Sequence, residues 1–274
     1  MFKPLTKLAF CATLATMSQA AYGQEVAATK SAPAPKVTGK IEVTEGLRPE
    51  YYTESGRYTD VTARASYKLS DKYSLGLKQG IREVETVEFP DTKSVYLLDP
   101  EVTLSAPAAL KRGKLVVTPV LRAVVAPLQE ASKRVGFQGS TALRLITQYK
   151  IDSIFSLTHL IDANEKYYAE TLDSEGTPNR PHVLTNVIAL EAAITERFSA
   201  GVTYMHIDSL PYSGRGGHKA TYVINPELGY SVEKVGVFVG IETSNSELKN
   251  GQIRTVYLYE ENLSEVYGRI EYTL

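Results

Sequence analysis

The chain has 274 residues, 22% of them charged, with 30 lysines and arginines against 31 aspartates and glutamates. Without a basic excess to neutralise phosphates, nucleic acid is excluded as a main partner. Although 43% of the residues are hydrophobic, no apolar stretch outside the N-terminus approaches the about 20 residues that a membrane-crossing helix needs.

Residues 1–23 read as a secretory signal peptide. Lys3 and Lys7 precede an apolar run from Leu8 to Met17, and Ala20, Ala21 and Gly23 offer small residues for cleavage. Phe10 ahead of Cys11, with few apolar residues before it, argues against a lipoprotein, so the single cysteine leaves with the signal and the exported chain needs no disulfide. Residues 24–39, "QEVAATKSAPAPKVTG", are small, polar and proline-bearing and read as a flexible lead-in.

From Lys40 the dominant period is two, the mark of half-buried strands. "VTARASYKL" sets Val61, Ala63, Ala65, Tyr67 and Leu69 against Thr62, Arg64, Ser66 and Lys68, and "YSLGLKQGIR" repeats the alternation. "LEAAITERF" has helical propensity but sits in a longer alternating run, and it reads as strand. About twelve strands follow: 40–52, 58–69, 73–85, 95–106, 114–125, 139–149, 153–163, 182–194, 198–208, 219–231, 235–246 and 263–274.

Connection lengths alternate. Short turns ("SDK", "PAALKRG", "KID", "TER", "VEK") follow the even strands, and mostly longer segments, such as 126–138, 164–181, 209–218 and 247–262, follow the odd ones. That alternation predicts a closed antiparallel transmembrane β-barrel over 40–274, all-β, with short periplasmic turns and longer extracellular loops. In lipid every backbone group must be paired internally, so a spanning sheet has to close. An even strand number would put both ends, the lead-in included, in the periplasm. A secreted β-sandwich also alternates, but here the second face is too charged to be a sandwich core.

Residues 40–274 resemble bacterial outer-membrane β-barrels. The last strand, with Val266, Gly268, Ile270, Tyr272 and Leu274 on one face, is similar to the C-terminal assembly strand of that class, an aromatic standing third from the end and leucine in place of the usual final phenylalanine. The resemblance implies contact with outer-membrane lipid and lipopolysaccharide and with the barrel-assembly machinery. "LRPEYY" (47–52) adds a similarity to the small twelve-stranded porins that admit acidic oligosaccharides. Their lumens are chiefly basic and this one is mixed, so their substrate is not carried over.

In such a barrel the apolar face meets lipid and the polar face lines the lumen. Tyr73, Tyr149, Tyr204, Tyr230 and Tyr272, with Phe155 and Phe198, would form the interfacial aromatic belt in a chain without tryptophan; Tyr267 is also near a strand end but points inward. The predicted lumen-lining basic residues are Arg48, Arg64, Lys68, Lys78, Arg82, Arg122, Arg144 and Arg269. The acidic ones are Glu42, Glu50, Asp99, Glu101, Asp162, Glu191, Glu227, Glu242 and Glu271. One side of the wall is mainly basic and the other mainly acidic, a transverse field suited to polar and ionic solutes. The same charges could instead pair within the wall or close the lumen; twelve strands fall between filled and water-channel barrels. "DPEV" (99–102) and "NPEL" (225–228) lie on strands six apart, so Glu101 and Glu227 either face one another at a constriction or mark two unrelated turn-proximal prolines.

The function expected is a porin-like channel for passive diffusion of small polar or charged solutes. A plugged structural or surface-interaction barrel acting through its loops is the alternative. A lipid-modifying enzyme is a third reading. His159 and His206 face lipid by parity, but Ser209 of "HIDS" lies on the opposite face from His206, and no serine–histidine pair of the kind a hydrolase needs is formed. No catalytic residue, cofactor or metal is expected: no His or Cys cluster has ligand spacing, the acidic segment "DANEKYYAETLDSEG" lacks the ordered calcium-loop pattern, and "GRGG" precedes no helix.

Overall fold

Twelve antiparallel strands account for nearly all regular structure in the computed structural model, which describes residues 37–47, 57–85, 93–125, 128, 132, 135–173, 176–212, 218–246, 248–249, 252–253 and 264–274. They are β1 (Val37–Leu47), β2 (Arg57–Lys68), β3 (Ser74–Glu85), β4 in two pieces (Lys93–Leu97 and Glu101–Ser105), β5 (Leu115–Val124), β6 (Phe137–Lys150), β7 (Phe155–Tyr168), β8 (His182–Ala193), β9 (Phe198–Leu210), β10 (Lys219–Val232), β11 (Val235–Ser246) and β12 (Ser264–Thr273). Each pairs with the next, and β12 pairs with β1 from Lys40↔Thr273 to Leu47↔Val266, closing the ring. The closed ring removes the sandwich alternative, since among the described residues the one other sheet is a small two-stranded hairpin (Leu248–Lys249, Gln252–Ile253) in the connection before β12. The signal segment lies outside the described residues. β1 begins at Val37, so the last three residues of the expected lead-in are strand, paired with Tyr67, Ser66 and Ala65.

Alternation governs burial as expected. Leu77, Leu121, Leu143, Val239 and Ile270 are each more than half exposed on the outer face, an apolar surface that a soluble monomer rarely carries. Their strand neighbours Lys78, Arg122, Arg144 and Arg269 point inward.

Three of the short turns share one sequence device. "LSDKY" (69–73), "IDSIF" (151–155) and "ITERF" (194–198) place Ser, Asp or Thr second and an aromatic fifth. The side-chain oxygen of Ser70, Asp152 or Thr195 accepts the backbone N–H two and three residues on, and the first two N–H groups of each turn donate to the carbonyl of the aromatic. This is the local hydrogen bonding that makes these residue types turn formers. The aromatics, Tyr73, Phe155 and Phe198, emerge half-exposed where a strand re-enters the membrane, with Phe198 against Tyr230 at 4.8 Å between ring centroids. They are three of the aromatics expected to form the belt, and all stand beside short turns.

One strand departs from its expected form. Ile81 pairs with Leu97 and Lys78 with Glu101, so Leu98, Asp99 and Pro100 oppose only Gln79 and Gly80. Pro100 has no N–H to give to a ladder, and the strand bulges there. The Gln79 amide spans the gap by donating to the carbonyls of Gly80 and Leu98 at 3.0 and 2.7 Å. A one-residue bulge shifts side-chain parity, so above it Leu98 is buried toward Gly80. Pro226 is milder: it stays in register with Val202 of β9, and only its pairing with β11 lapses. The connection after β4 is also more elaborate than a turn, since Leu110–Arg112 folds back onto β5.

Candidate functional site: the lumen

The inward residues enclose a cavity of about 810 Å³. Its lining runs from the periplasmic turn at Glu233 and Lys234, past Thr273, Lys40 and Arg64, up to Tyr58, Asp60, Glu242 and Glu265. Of the residues predicted to line the lumen, Arg64, Lys78, Arg144, Arg269, Glu42, Glu101, Glu191, Glu227, Glu242 and Glu271 border this cavity.

The others are placed differently. Arg122 and Asp162 are buried in the wall beside the cavity. Arg82 is fully buried and bound to both carboxylate oxygens of Asp60, with Tyr58 stacked 4.7 Å from the guanidinium. Lys68 has the right parity but stands at the periplasmic rim, paired with exposed Asp71 at 2.8 Å, because β2 ends there. That contact, first the hydrogen bond and then the charge of Lys68, holds the Asp71 carboxyl below its ordinary range. Asp99 is not a lumen group: the Pro100 bulge turns it to the connection between β5 and β6, where it accepts the Leu128 N–H at 2.7 Å and the Ser132 hydroxyl at 2.5 Å. Arg48 and Glu50 lie outside the described residues.

Charges are linked along the wall by chains of alternating sign. On β2, β1, β12 and β10, Arg64 lies 3.7 Å from Glu42; Lys40 bridges Glu42 (3.1 Å) and Glu271 (2.6 Å); Arg269 spans Glu271 (3.4 Å) and both oxygens of Glu227 (2.8 Å). On β4 to β7, Arg122 bridges Glu101 (3.1 Å) and Asp162 (3.4 Å), and Asp162 also accepts from Arg144 at 2.7 Å. Most of these buried charges are thus matched by close neighbours of opposite sign, as burial demands.

Glycines make room for aromatic bridges between strands. Tyr267 lies over Gly240, where a Cβ would fall 2.5 Å from its hydroxyl, and so reaches Glu227 (2.7 Å) and Asn225 (3.0 Å). Tyr58 crosses Gly46 in the same way to bond Glu265. Phe238 covers Gly229 and Gly236 and carries Arg269 at 4.5 Å.

Not all of the interior is polar. Leu160, Val183, Val187, Met205, Ile207 and Val223 form a buried cluster on the inner face of β7–β10, with Ile146 against it. Above it the extracellular segments are tied together: the Asn179 amide donates to the carbonyls of Val135 (3.2 Å) and Glu170 (2.9 Å). The cavity therefore lies away from β7: toward the periplasmic end it is bordered by strands all round the ring, and its upper part follows β11, β12, β1 and β2. Sequence reasoning missed this cluster, and also Lys40, Asp60 and Glu265. All share parity with residues that were named, so extending the alternation to every inward position would have found them.

The histidines form no hydrolase arrangement among the described residues. His182 pairs with Glu165 at 2.6 Å, and His206 and His218 flank Asp208 at 3.0 and 2.5 Å, whereas the Ser209 hydroxyl donates to the Lys219 carbonyl.

No family model matches the sequence and no curated protein matches it. Solved structures do. An outer membrane channel from Pseudomonas putida F1 superposes with a TM-score of 0.59 at 9% identity, over 91% of this chain and all (100%) of that one. The NanC porin gives 0.54 at 12% identity, over 85% of this chain and 98% of that one, and the KdgM porin 0.50 at 9% identity with the same coverage. At such identities the likeness is one of fold: the chain has the closed twelve-stranded barrel of outer-membrane porins.

Proposed function

We propose that the chain resides in a bacterial outer membrane and passes small polar or charged solutes by passive diffusion, with no catalytic step. The observation that carries this is the off-centre, charge-lined cavity open to the periplasmic turns. Its ion pairs keep the wall rigid, as a selective passage requires, and leave polar groups facing water. The porin fold is consistent with that reading, as is the exposed apolar outer face, which would meet lipid and lipopolysaccharide. Delivery by the barrel-assembly machinery through the strand Val266–Leu274 belongs to the same proposal.

Purified protein in planar bilayers tests it. Discrete conductance steps, with a reversal potential in a salt gradient that moves when Glu101 and Glu227 are changed to glutamine, are expected. A correctly folded barrel that gives no steps overturns the channel. A second reading, a plugged barrel acting through its loops, is favoured by the apolar cluster inside β7–β10 and would be supported by that silent outcome. The lipid-modifying reading is addressed by lipase and deacylase assay of the protein with His159 and His206 replaced.

A further inference from the structure

The lumen charges are sorted by side as well as paired. The basic groups bordering the cavity, Arg64, Lys78 and Arg144, stand on β2, β3 and β6, where the acidic Asp60 and Glu101 are taken up by Arg82 and Arg122, while Glu191, Glu227 and Glu242 stand on β8, β10 and β11. Two groups in this arrangement lack a close ion-pair partner among the described residues. Arg64 buries Nε and Nη2 without a hydrogen-bond acceptor, and its contact with Glu42 is a long 3.7 Å. It also stands directly opposite Lys78 in the β2–β3 register, a like-charge pairing that costs stability. Glu191 has no basic side chain in ion-pair reach among the described residues; in the register its neighbour on β9 is Gly201, and beyond that stands another carboxylate, Glu227.

These two groups face one another. Arg64 on β2 and Glu191 on β8 are six strands apart in a ring of twelve, so they are on opposite walls, and both border the same cavity near its periplasmic end. A wall that leaves a guanidinium short of acceptors on one side and a carboxylate short of donors on the other is complementary to a solute carrying both missing partners. We propose that the channel favours small zwitterions, solutes with an anionic group drawn to Arg64 and an ammonium drawn to Glu191. The inference rests on the channel reading. A permeating zwitterion is oriented across the lumen and keeps compensated charges throughout, whereas a simple ion meets attraction from one wall and repulsion from the other.

Liposome swelling with two isomeric solutes, zwitterionic alanine and uncharged lactamide, separates the claims. The readout is the alanine-to-lactamide rate ratio within each protein, which cancels differences in insertion. The expected wild-type ratio is about three- to fivefold, the size of one screened charge contact. It should fall to about one in Arg64→Gln and in Glu191→Gln, and rise again in the exchanged protein, Arg64→Glu with Glu191→Arg, where the poles are merely reversed. A ratio of one in the wild type, or a ratio unchanged by both single substitutions, overturns the zwitterion proposal while swelling itself upholds the channel. No swelling with either solute overturns both.

Discussion

Replacing Asp162 by asparagine attacks the wall at a carboxylate shared by two arginines. Asp162 serves Arg144 at 2.7 Å and Arg122 at 3.4 Å, and the Arg144 and Asp162 side chains are only 9% and 5% exposed. Arg122 retains Glu101, so the loss falls on Arg144, left as a buried guanidinium without its anion. Breaking a buried pair from one side costs about 3 kcal/mol. The expected loss in Asp162→Asn is therefore about 3 kcal/mol of unfolding free energy, followed by urea titration in lipid vesicles. Tyrosine emission or gel mobility must serve as the probe, since the chain has no tryptophan. Adding Arg144→Met should recover most of the loss, because a hydrophobic side chain needs no counter-charge. A stability change within about 0.5 kcal/mol in Asp162→Asn, or no recovery in the double variant, would refute the claim that these charges are matched by burial.

Glu233 sits in the two-residue turn between β10 and β11 with φ of 52°, a conformation that favours glycine; Glu233→Gly should raise stability by about 1 kcal/mol in the same titration. Gly240→Ala puts a methyl 2.5 Å from the Tyr267 hydroxyl, and the expected cost is about 1–3 kcal/mol, measured by unfolding and accompanied by loss of the Tyr267–Glu227 bond. Thr195→Ala removes a turn acceptor of two backbone N–H groups and should cost about 1 kcal/mol. In the matching turn, the N–H groups of Phe155 and then Ile154 hold the Asp152 carboxyl below its ordinary range. Its folded pKa being depressed, its contribution is present above the ordinary carboxylate value and fades as pH falls through the folded one; an Asp152→Asn chain should show a flatter acid limb in a pH series of unfolding midpoints.

Barrel, strand order and lipid face could be read from alternation because a residue on a spanning strand has only two environments, and a run of ten or so residues repeats the choice. The same parity turns Arg64, Lys78, Glu227 and Arg269 toward the cavity they border. Asp99 was misplaced because parity assumes an unbroken ladder, and a single inserted residue at Pro100 inverts it. Lys68 was misplaced because parity says which way a side chain points and nothing about how far along the strand the lumen reaches. Alternation puts Met205 and Val223 on the inner face, but that they pack as one cluster shows only once β7–β10 stand side by side. The turn pattern shared by "LSDKY", "IDSIF" and "ITERF" was visible in the letters, but its meaning lies in backbone bonds that letters do not record.

The ladder between β12 and β1 has a kinetic consequence. Lys40 pairs with Thr273, so the bonds that complete the ring join nearly the two ends of the described chain. Every other neighbouring pair can form locally, hairpin by hairpin, but this one waits for the whole sheet and carries the largest loop-closure entropy. Until then β1 and β12 are open edges, each with a row of unsatisfied N–H and C=O groups able to pair with another chain. On loop-closure grounds this pairing is the last to form, and the interval before it is when the open edges are exposed to aggregation.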